Sequence, residues 1–205
     1  CVSQSSTSSV EVELDNGKVE KFTGLGAYNC DTIIESIRGG NTSYCVMAYG
    51  QTGSGKTYTC TELLPRVSEM LLGYVEKGYE VQLNAFELYL GSIKDLLREE
   101  ACSVRQDAKG RTHVDAKKVV VGTQEDAESL INKAFANRAS SATKSNEQSS
   151  RSHAFVRFTL RKGKEGEEGE EEREVTIVDL AGNERYEETF HHDAARLAEM
   201  KAINA

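Results

Sequence analysis

The residues whose types and spacing most clearly imply chemistry form a glycine-rich run, Gly50-Gln51-Thr52-Gly53-Ser54-Gly55-Lys56-Thr57. The run matches GxxxxGK[ST], in which backbone N–H groups curl around phosphates and the lysine reaches the β- and γ-oxygens. The threonine hydroxyl of this pattern can ligate Mg²⁺. An ordinary glycine-rich turn is the alternative, but the pattern favours a nucleotide phosphate site.

A second candidate is a carboxylate at the end of a predicted strand. Four β-prone residues, Val175-Thr176-Ile177-Val178, lead directly to Asp179. Open α/β sheets bind ligands at the carboxyl ends of their strands, so Asp179 is the natural residue to hold the water shell of a metal. Taken alone, such an aspartate is more often a cap or turn former. Its interpretation therefore depends on the glycine-rich loop.

Two further sequence segments have compositions that are unusual for ordinary connecting loops. One is dense in hydroxyls, Asn146-Glu147-Gln148-Ser149-Ser150-Arg151-Ser152-His153, and the other is Asp179-Leu180-Ala181-Gly182-Asn183-Glu184-Arg185. By itself the serine-rich run is typical of a surface loop, because Ser and Asn form local hydrogen bonds with the backbone. Occurring together with the glycine-rich loop, both clusters become candidate parts of one site.

The elements that must position these residues alternate between strand and helix patterns. An Asn16-Gly17 turn predicts a β-hairpin over residues 10–22. The apolar run at 44–49, just before the glycine-rich loop, predicts a strand buried on both faces. Helical spacing predicts helices at 31–38, from about Pro65 to Tyr74 and at 125–139, and further strands are predicted at 79–89, 93–97, within 104–121, at 154–160 and at 174–180. We expect an α/β or α+β domain around one sheet.

Length and composition are those of one globular domain. The chain has 205 residues, 38% of them hydrophobic, and a net charge of −8. No apolar run is long enough to span a membrane. The five cysteines include no CxxC pair, so neither a disulfide framework nor a zinc site is indicated, and a reducing compartment fits best. The N-terminus lacks both Met and a signal pattern, so we expect part of a longer protein.

The acidity is concentrated in one segment. Residues 165–174 contain seven Glu and one Arg, which account for six of the eight net negative charges. Bulk charge therefore argues neither for nor against an acidic partner. Residues 161–173 contain no apolar side chain, so an acidic mobile loop is expected there within the single domain 1–205.

Three of these segments together resemble the kinesin motor domain. Residues 48–57 are similar to the family's AYGQTGSGKT, residues 146–153 to its NxxSSRSH, and residues 179–184 to its DLAGxE. The resemblance covers about residues 33–204. It implies a P-loop NTPase-type central mixed sheet flanked by helices, here incomplete at both ends. It also implies an ATPase that uses Mg²⁺ and ATP or ADP as cofactors. The implied partner is the microtubule, in the cytoplasm and cytoskeleton, and neither nucleic acid nor a membrane is an expected partner.

The resemblance also implies residue roles. Thr57 and Ser150 would contact Mg²⁺ directly and Asp179 through water, while residues 50–57 and Tyr58 would bind nucleotide. Gly182 would sense the γ-phosphate. Arg151 and Glu184 would pair and order the attacking water, with Ser149 and Asn146 helping to position it.

Some features depart from the family pattern and leave alternatives open. The RxRP strand that stacks on adenine is absent, so the base contact is unassigned. Asn183 stands where most kinesins have Ser, and in this respect the segment resembles that of the microtubule-depolymerising kinesins. A non-motor module that keeps nucleotide contacts is a further alternative, whereas a GTPase-like switch is disfavoured because no Asn-Lys-x-Asp guanine reader occurs.

Overall fold

The fold was taken from a computed structural model, which describes residues 9–13, 19–23, 43–108, 110, 112–143, 148–163 and 171–183. Two strands, β1 (Ser9–Glu13) and β2 (Val19–Thr23), pair antiparallel with Val12 opposite Glu20. This confirms the predicted hairpin. The helix predicted at 31–38 lies outside the described residues.

A mixed sheet forms the centre of the molecule. Its strands are β3 (Ser43–Ala48), β4 (Glu80–Tyr89), β5 (Ser92–Asp95), β8 (Val119–Val120), β9 (His153–Lys162) and β10 (Glu171–Asp179). The order is β3-β10-β9-β4-β5, with β8 also on β4. Among the strands that the structure describes, only β3 and β10 pair in parallel, and their carboxyl ends therefore meet, with Asp179 opposite Ala48. A separate pair, β6 (Val104–Gln106) and β7 (Thr112–Val114), supplies the predicted short strands.

Two long helices pack against one face of this sheet. They are α1 (Lys56–Leu72) and α2 (Gln124–Thr143); a short helix, α3 (Gln148–Arg151), precedes β9. Apolar side chains of α1 and α2 share one buried cluster with alternate residues of the strands, such as Leu83, Phe158 and Ile177. The mixed α/β fold is thus confirmed, and the functional segments lie at one end of the sheet.

The prediction that the strand at 44–49 is buried on both faces is wrong. Tyr44 and Val46 pack partly against the core, whereas Met47 is 62% and Tyr49 73% exposed. The physical reason is the position of β3 at the end of the strand order, where β10 is its pairing partner and the face opposite the helices is open within the described structure. A continuous apolar run does not distinguish a central strand from this arrangement.

The prediction of a helix that begins near Pro65 is also wrong. Pro65 lies inside α1, which begins at Lys56 and runs for 17 residues. An interior proline removes one helical hydrogen bond. The nearby carbonyl of Pro65 accepts from Ser68 Oγ at 2.8 Å and from Gln124 Nε2 at 3.0 Å, and buried Leu63, Leu64 and Val67 anchor the helix to the core. Packing and these bonds outweigh the proline.

The acidic segment is shorter as a loop than predicted. Strands β9 and β10 extend to Lys162 and from Glu171, which are register partners. Arg161 Nη2 lies 3.2 Å from Glu172 Oε2, so opposite charges across the ladder support this extension. Residues 164–170 lie outside the described part.

Candidate functional site

The glycine-rich loop connects the end of β3 to the start of α1. Gly53 and Gly55 have φ values of 80° and 86°, a conformation that favours glycine. Gly55 is the N-cap of α1 and provides no side-chain hydrogen bond to the helix amides. The first backbone N–H groups of a long helix therefore face the loop without a side-chain cap, which is the arrangement that binds anions.

Lys56 and Thr57, the last residues of the motif, make hydrogen bonds to different parts of the site. Lys56 Nζ donates to the carbonyls of Gly50 and Gln51, both at 2.8 Å. Thr57 Oγ1 donates to Asp179 Oδ2 at 2.6 Å, a contact between residues 122 positions apart. The structure thus brings together the motif and the strand-end carboxylate, as the sequence predicts.

Asp179 is the residue in this site that is best placed to serve a divalent cation. Its exposed fraction is 2%, and its Oδ1 is a buried oxygen with no hydrogen-bond partner. Mg²⁺ takes oxygen ligands, keeps several waters and is bound through one or two carboxylates together with phosphate oxygens. A carboxylate with an available oxygen beside a threonine hydroxyl fits that requirement, so Thr57 and Asp179 would hold the ion.

Asp179 belongs to a buried cluster of charged and polar side chains. The guanidinium of Arg138, on α2, donates through Nη1 to Asp179 Oδ2 and through Nη2 to the carbonyl of Ser152 at 2.9 Å. Its Nε lies 3.7 Å from Glu87 Oε1, which also accepts a hydrogen bond from Ser152 Oγ. The cluster Glu87-Arg138-Ser152-Asp179 is called the buried charge cluster below.

The segment that follows Asp179 contacts both other motifs. The Asn183 N–H donates to the Gly50 carbonyl at 3.3 Å, and the Gly182 N–H donates to the Ser150 carbonyl at 2.7 Å. The Ala181 N–H donates to His153 Nδ1 at 3.1 Å. All three sequence clusters therefore meet at one end of the sheet.

The structure describes some of the remaining predicted residues in full, one by its backbone alone, and others not at all. Gln51, Thr52, Gly53 and Ser54 are exposed in the loop, and Tyr58 is 70% exposed. Ser150 and Arg151 lie half-buried on α3, and Ser149 is described by its backbone alone. Asn146 and Glu184 lie outside the described residues, so the predicted pair of Arg151 and Glu184 remains a prediction.

Sequence reasoning assigned no role to Glu87 or Arg138. A glutamate inside the apolar strand pattern Ala85-Phe86-Glu87-Leu88 is the one signal that could have marked the position, because buried carboxylates need partners. Arg138 has no such signal, since a polar residue on a helix is ordinarily solvated. Its 3% exposure is a result of the tertiary structure.

Cys60 of α1 lies next to this site, and its thiol has low nucleophilic reactivity. Burial raises the pKa of its thiol to about 12, the nearby charge of Asp179 adds to the shift, and Arg138 opposes it. Little thiolate forms near neutral pH, so a nucleophilic role for Cys60 is not supported.

No helix among the described residues has the length and apolar character that a membrane crossing requires.

Comparison with known proteins identifies the relatives of this chain. A family model for the kinesin motor domain matches residues 20–205. Kinesin-like protein klpA of Emericella nidulans is 35% identical over 98% of this chain, and kinesin-like protein KIN-13B of Arabidopsis thaliana is 36% identical over 77%. The chain spans 29% and 24% of those two proteins.

Solved structures agree with this result. The C-terminal motor domain of Kar3 from Candida glabrata superposes with a TM-score of 0.66 at 26% identity, covering 87% of this chain and 64% of that one. A structure of a fast kinesin gives a TM-score of 0.72 at 24% identity, covering 91% of this chain and 60% of that one, which supports the fold.

Proposed function

The chain belongs to the kinesin motor domain family, and on this premise we propose that it binds magnesium and ATP and couples ATP hydrolysis to microtubule binding. The observation that carries the proposal is the hydrogen bond between Thr57 and Asp179. It joins the phosphate-binding motif at the start of α1 to the strand-end carboxylate of β10. A nucleotide bound by residues 50–57 would therefore have its magnesium beside Asp179.

Binding would use the amides and the lysine of the loop. Lys56 Nζ lies on two loop carbonyls at 2.8 Å, and on nucleotide binding it would exchange them for β- and γ-phosphate oxygens. Hydrogen bonds between ionised groups are stronger than those to neutral carbonyls, so this exchange is favourable. Thr57 and Asp179 would hold Mg²⁺ there, and the ion would supply positive charge against the negative charge that develops during phosphoryl transfer.

Hydrolysis would then depend on placement and electrostatics rather than on covalent chemistry. We assign Ser149 and Asn146 to positioning the attacking water, and Arg151 and Glu184 to a pair that orders it. Ser150 is the proposed second direct magnesium contact. Glu184→Ala is accordingly expected to retain nucleotide binding and to lose turnover.

Coupling to the microtubule would pass through the segment 180–183. The Gly182 N–H donates to the Ser150 carbonyl, so the two segments that would flank the γ-phosphate contact each other directly. A γ-phosphate oxygen would compete for the Gly182 N–H, and loss of phosphate would restore the bond. Order–disorder steps of this kind link phosphate state to partner affinity in nucleotide switches.

The test is the steady-state ATPase rate of the complete protein with and without polymerised tubulin. The proposal expects a low rate that rises with microtubule concentration, and a preference for ATP over GTP. Nucleotide binding without stimulation would instead support a non-motor scaffold. Absence of magnesium-dependent ATP binding would contradict the proposal altogether.

A second candidate is microtubule depolymerisation, favoured by Asn183 in Asp179-Leu180-Ala181-Gly182-Asn183-Glu184-Arg185. The Asn183 N–H donates to the Gly50 carbonyl, so this substitution lies beside the proposed nucleotide site. Sedimentation of stabilised microtubules after incubation with protein and ATP distinguishes the two activities. Release of free tubulin supports depolymerisation, and intact polymer with continued ATP turnover supports a motile or static motor. Either activity would place the protein in the cytoplasm on the cytoskeleton.

A further inference from the structure

The buried charge cluster contains three charges that water does not reach. Glu87 and Asp179 are each 2% exposed and Arg138 is 3% exposed, while Ser152 is fully buried. Removing charges from water is costly unless geometry and hydrogen bonds compensate for the lost hydration. A cluster of this kind, which includes the carboxylate proposed to hold magnesium, calls for a physical role.

The sheet register explains how the two carboxylates come to face one guanidinium. Ala154 of β9 is the register partner of Glu87 on one side and of Asp179 on the other. With about 4.8 Å between neighbouring strands, the Cα atoms of Glu87 and Asp179 lie about 10 Å apart, and both side chains are on the helix-facing side. Ala154 contributes only a methyl group between them, which leaves space for the side chain that α2 supplies.

Arg138 fixes the orientation of the Asp179 carboxylate. Both Arg138 Nη1 and Thr57 Oγ1 donate to the same oxygen, Oδ2, which holds the carboxylate from two sides. The second oxygen, Oδ1, is thereby left buried and without a hydrogen-bond partner. The guanidinium itself donates through Nη2 to the Ser152 carbonyl, and its Nε lies 3.7 Å from Glu87 Oε1, an ion pair without a hydrogen bond.

The charges of the cluster also do not balance. Two carboxylates and one guanidinium leave one net negative charge in a nearly dry environment. A cation at the oxygen that lacks a partner would complement that charge. Geometry and charge thus point to the same atom, Asp179 Oδ1, on the carboxylate whose other oxygen already accepts from Thr57.

We propose that Arg138 is a positioning residue for magnesium: held by Glu87 and the Ser152 carbonyl, it presents Asp179 Oδ1 to the water shell of the ion. The inference rests on the proposed nucleotide site and adds a residue to it. Partners that orient a metal-holding carboxylate typically change metal affinity 10–100-fold when they are mutated.

The test is a magnesium titration of the retention of a fluorescent ADP analogue by the complete protein. Arg138→Met removes the charge at similar length, and Arg138→Lys keeps the charge but loses the planar fork. Glu87→Gln keeps an acceptor for Ser152 while it removes the ion pair with Arg138. The matched control is Lys133→Met, which removes a positive charge from an exposed position of the same helix.

We expect Arg138→Met to raise the magnesium concentration for half-maximal retention about tenfold. Arg138→Lys and Glu87→Gln should give smaller increases in the same direction, and Lys133→Met none. Nucleotide affinity in excess EDTA should stay the same in all of them. If Arg138→Met does not fold, the Lys and Gln variants decide the matter.

Two results would overturn the inference. An unchanged magnesium dependence in folded Arg138 and Glu87 variants would show a purely structural role, visible only as a lower melting temperature. A decreased half-saturation concentration would show that Arg138 acts against the metal as a competing charge. If instead the unmodified protein retained ADP equally with and without magnesium, the proposed site itself would fail.

Discussion

The glycine-rich loop and the buried charge cluster lie at the same end of the sheet but differ in sequence continuity and in burial. The loop is one continuous run, residues 50–57, whose side chains are largely exposed. The cluster takes one residue each from β4, α2, the turn before β9 and the end of β10, and all are buried. Contact with the proposed nucleotide is thus encoded locally, and the orientation of the carboxylate proposed to hold magnesium is encoded by tertiary structure. Substitutions in the two regions should consequently have different effects.

The largest effect expected is on stability, from Glu87→Ala. This change leaves Arg138 without one of its carboxylates and the Ser152 hydroxyl without its acceptor. Breaking a buried ion pair by removing one partner costs about 3–5 kcal/mol in the free energy of unfolding. Urea denaturation of the purified variant measures the loss.

Glu172→Ala is the matched control for this prediction. Its pair with Arg161 lies at the surface, so less than about 1 kcal/mol should be lost. Equal losses in the two variants would remove the distinction between a buried cluster and ordinary surface pairs.

Lys56→Ala should act in the opposite manner. Removing the lysine deletes charge-assisted hydrogen bonds to phosphate and should weaken ATP affinity about 100-fold, equal to about 2.7 kcal/mol. The melting temperature without nucleotide should hardly change, because Lys56 contacts only loop carbonyls. Calorimetric titration and thermal melting check both statements, with Lys133→Ala as control. A lower melting temperature with unchanged ATP affinity would contradict this assignment.

Gly50→Ala should have an intermediate effect on binding. Gly50 has a φ of 152°, and a Cβ there would lie 2.7 Å from Ser54 Oγ. We expect the distorted loop to lose about tenfold in ATP affinity, as about 1.4 kcal/mol of strain implies. The same change in a Ser54→Ala background should recover part of the loss; no recovery would mean that the clash is unimportant.

The smallest effect concerns thiol chemistry beneath the site. Cys60 is buried with a pKa raised to about 12; partial burial also raises the pKa of Cys45 of β3, but the Cys45 side chain is exposed to reagent. Because a raised pKa means less thiolate at any given pH, iodoacetamide at pH 8 should modify Cys45 and spare Cys60 until the protein unfolds. Peptide mass spectrometry reads out both. Rapid modification of native Cys60 would indicate that the packing between α1 and β10 opens readily.

Much of the fold and part of the site were predictable from sequence. Local sequence patterns predicted the hairpin, the strands at 79–89 and 154–160 and the helix at 125–139. The motif at 50–57 also suggested that Asp179 lies beside it, and the structure confirms this proximity. The exposed face of β3 and the continuation of α1 through Pro65 were missed, because both depend on what packs against the element. Arg138 was missed for the same reason, since its role arises from a register that brings Glu87 and Asp179 to either side of Ala154.

The central claim is that the start of α1 and the end of β10 form one magnesium–nucleotide site. The most direct test is the rate at which EDTA releases a bound fluorescent ADP analogue from the native protein, Thr57→Val and Thr57→Ser. The account predicts that EDTA accelerates release from the native protein and the Ser variant, while the Val variant releases quickly with or without EDTA. A full EDTA response in Thr57→Val would contradict it.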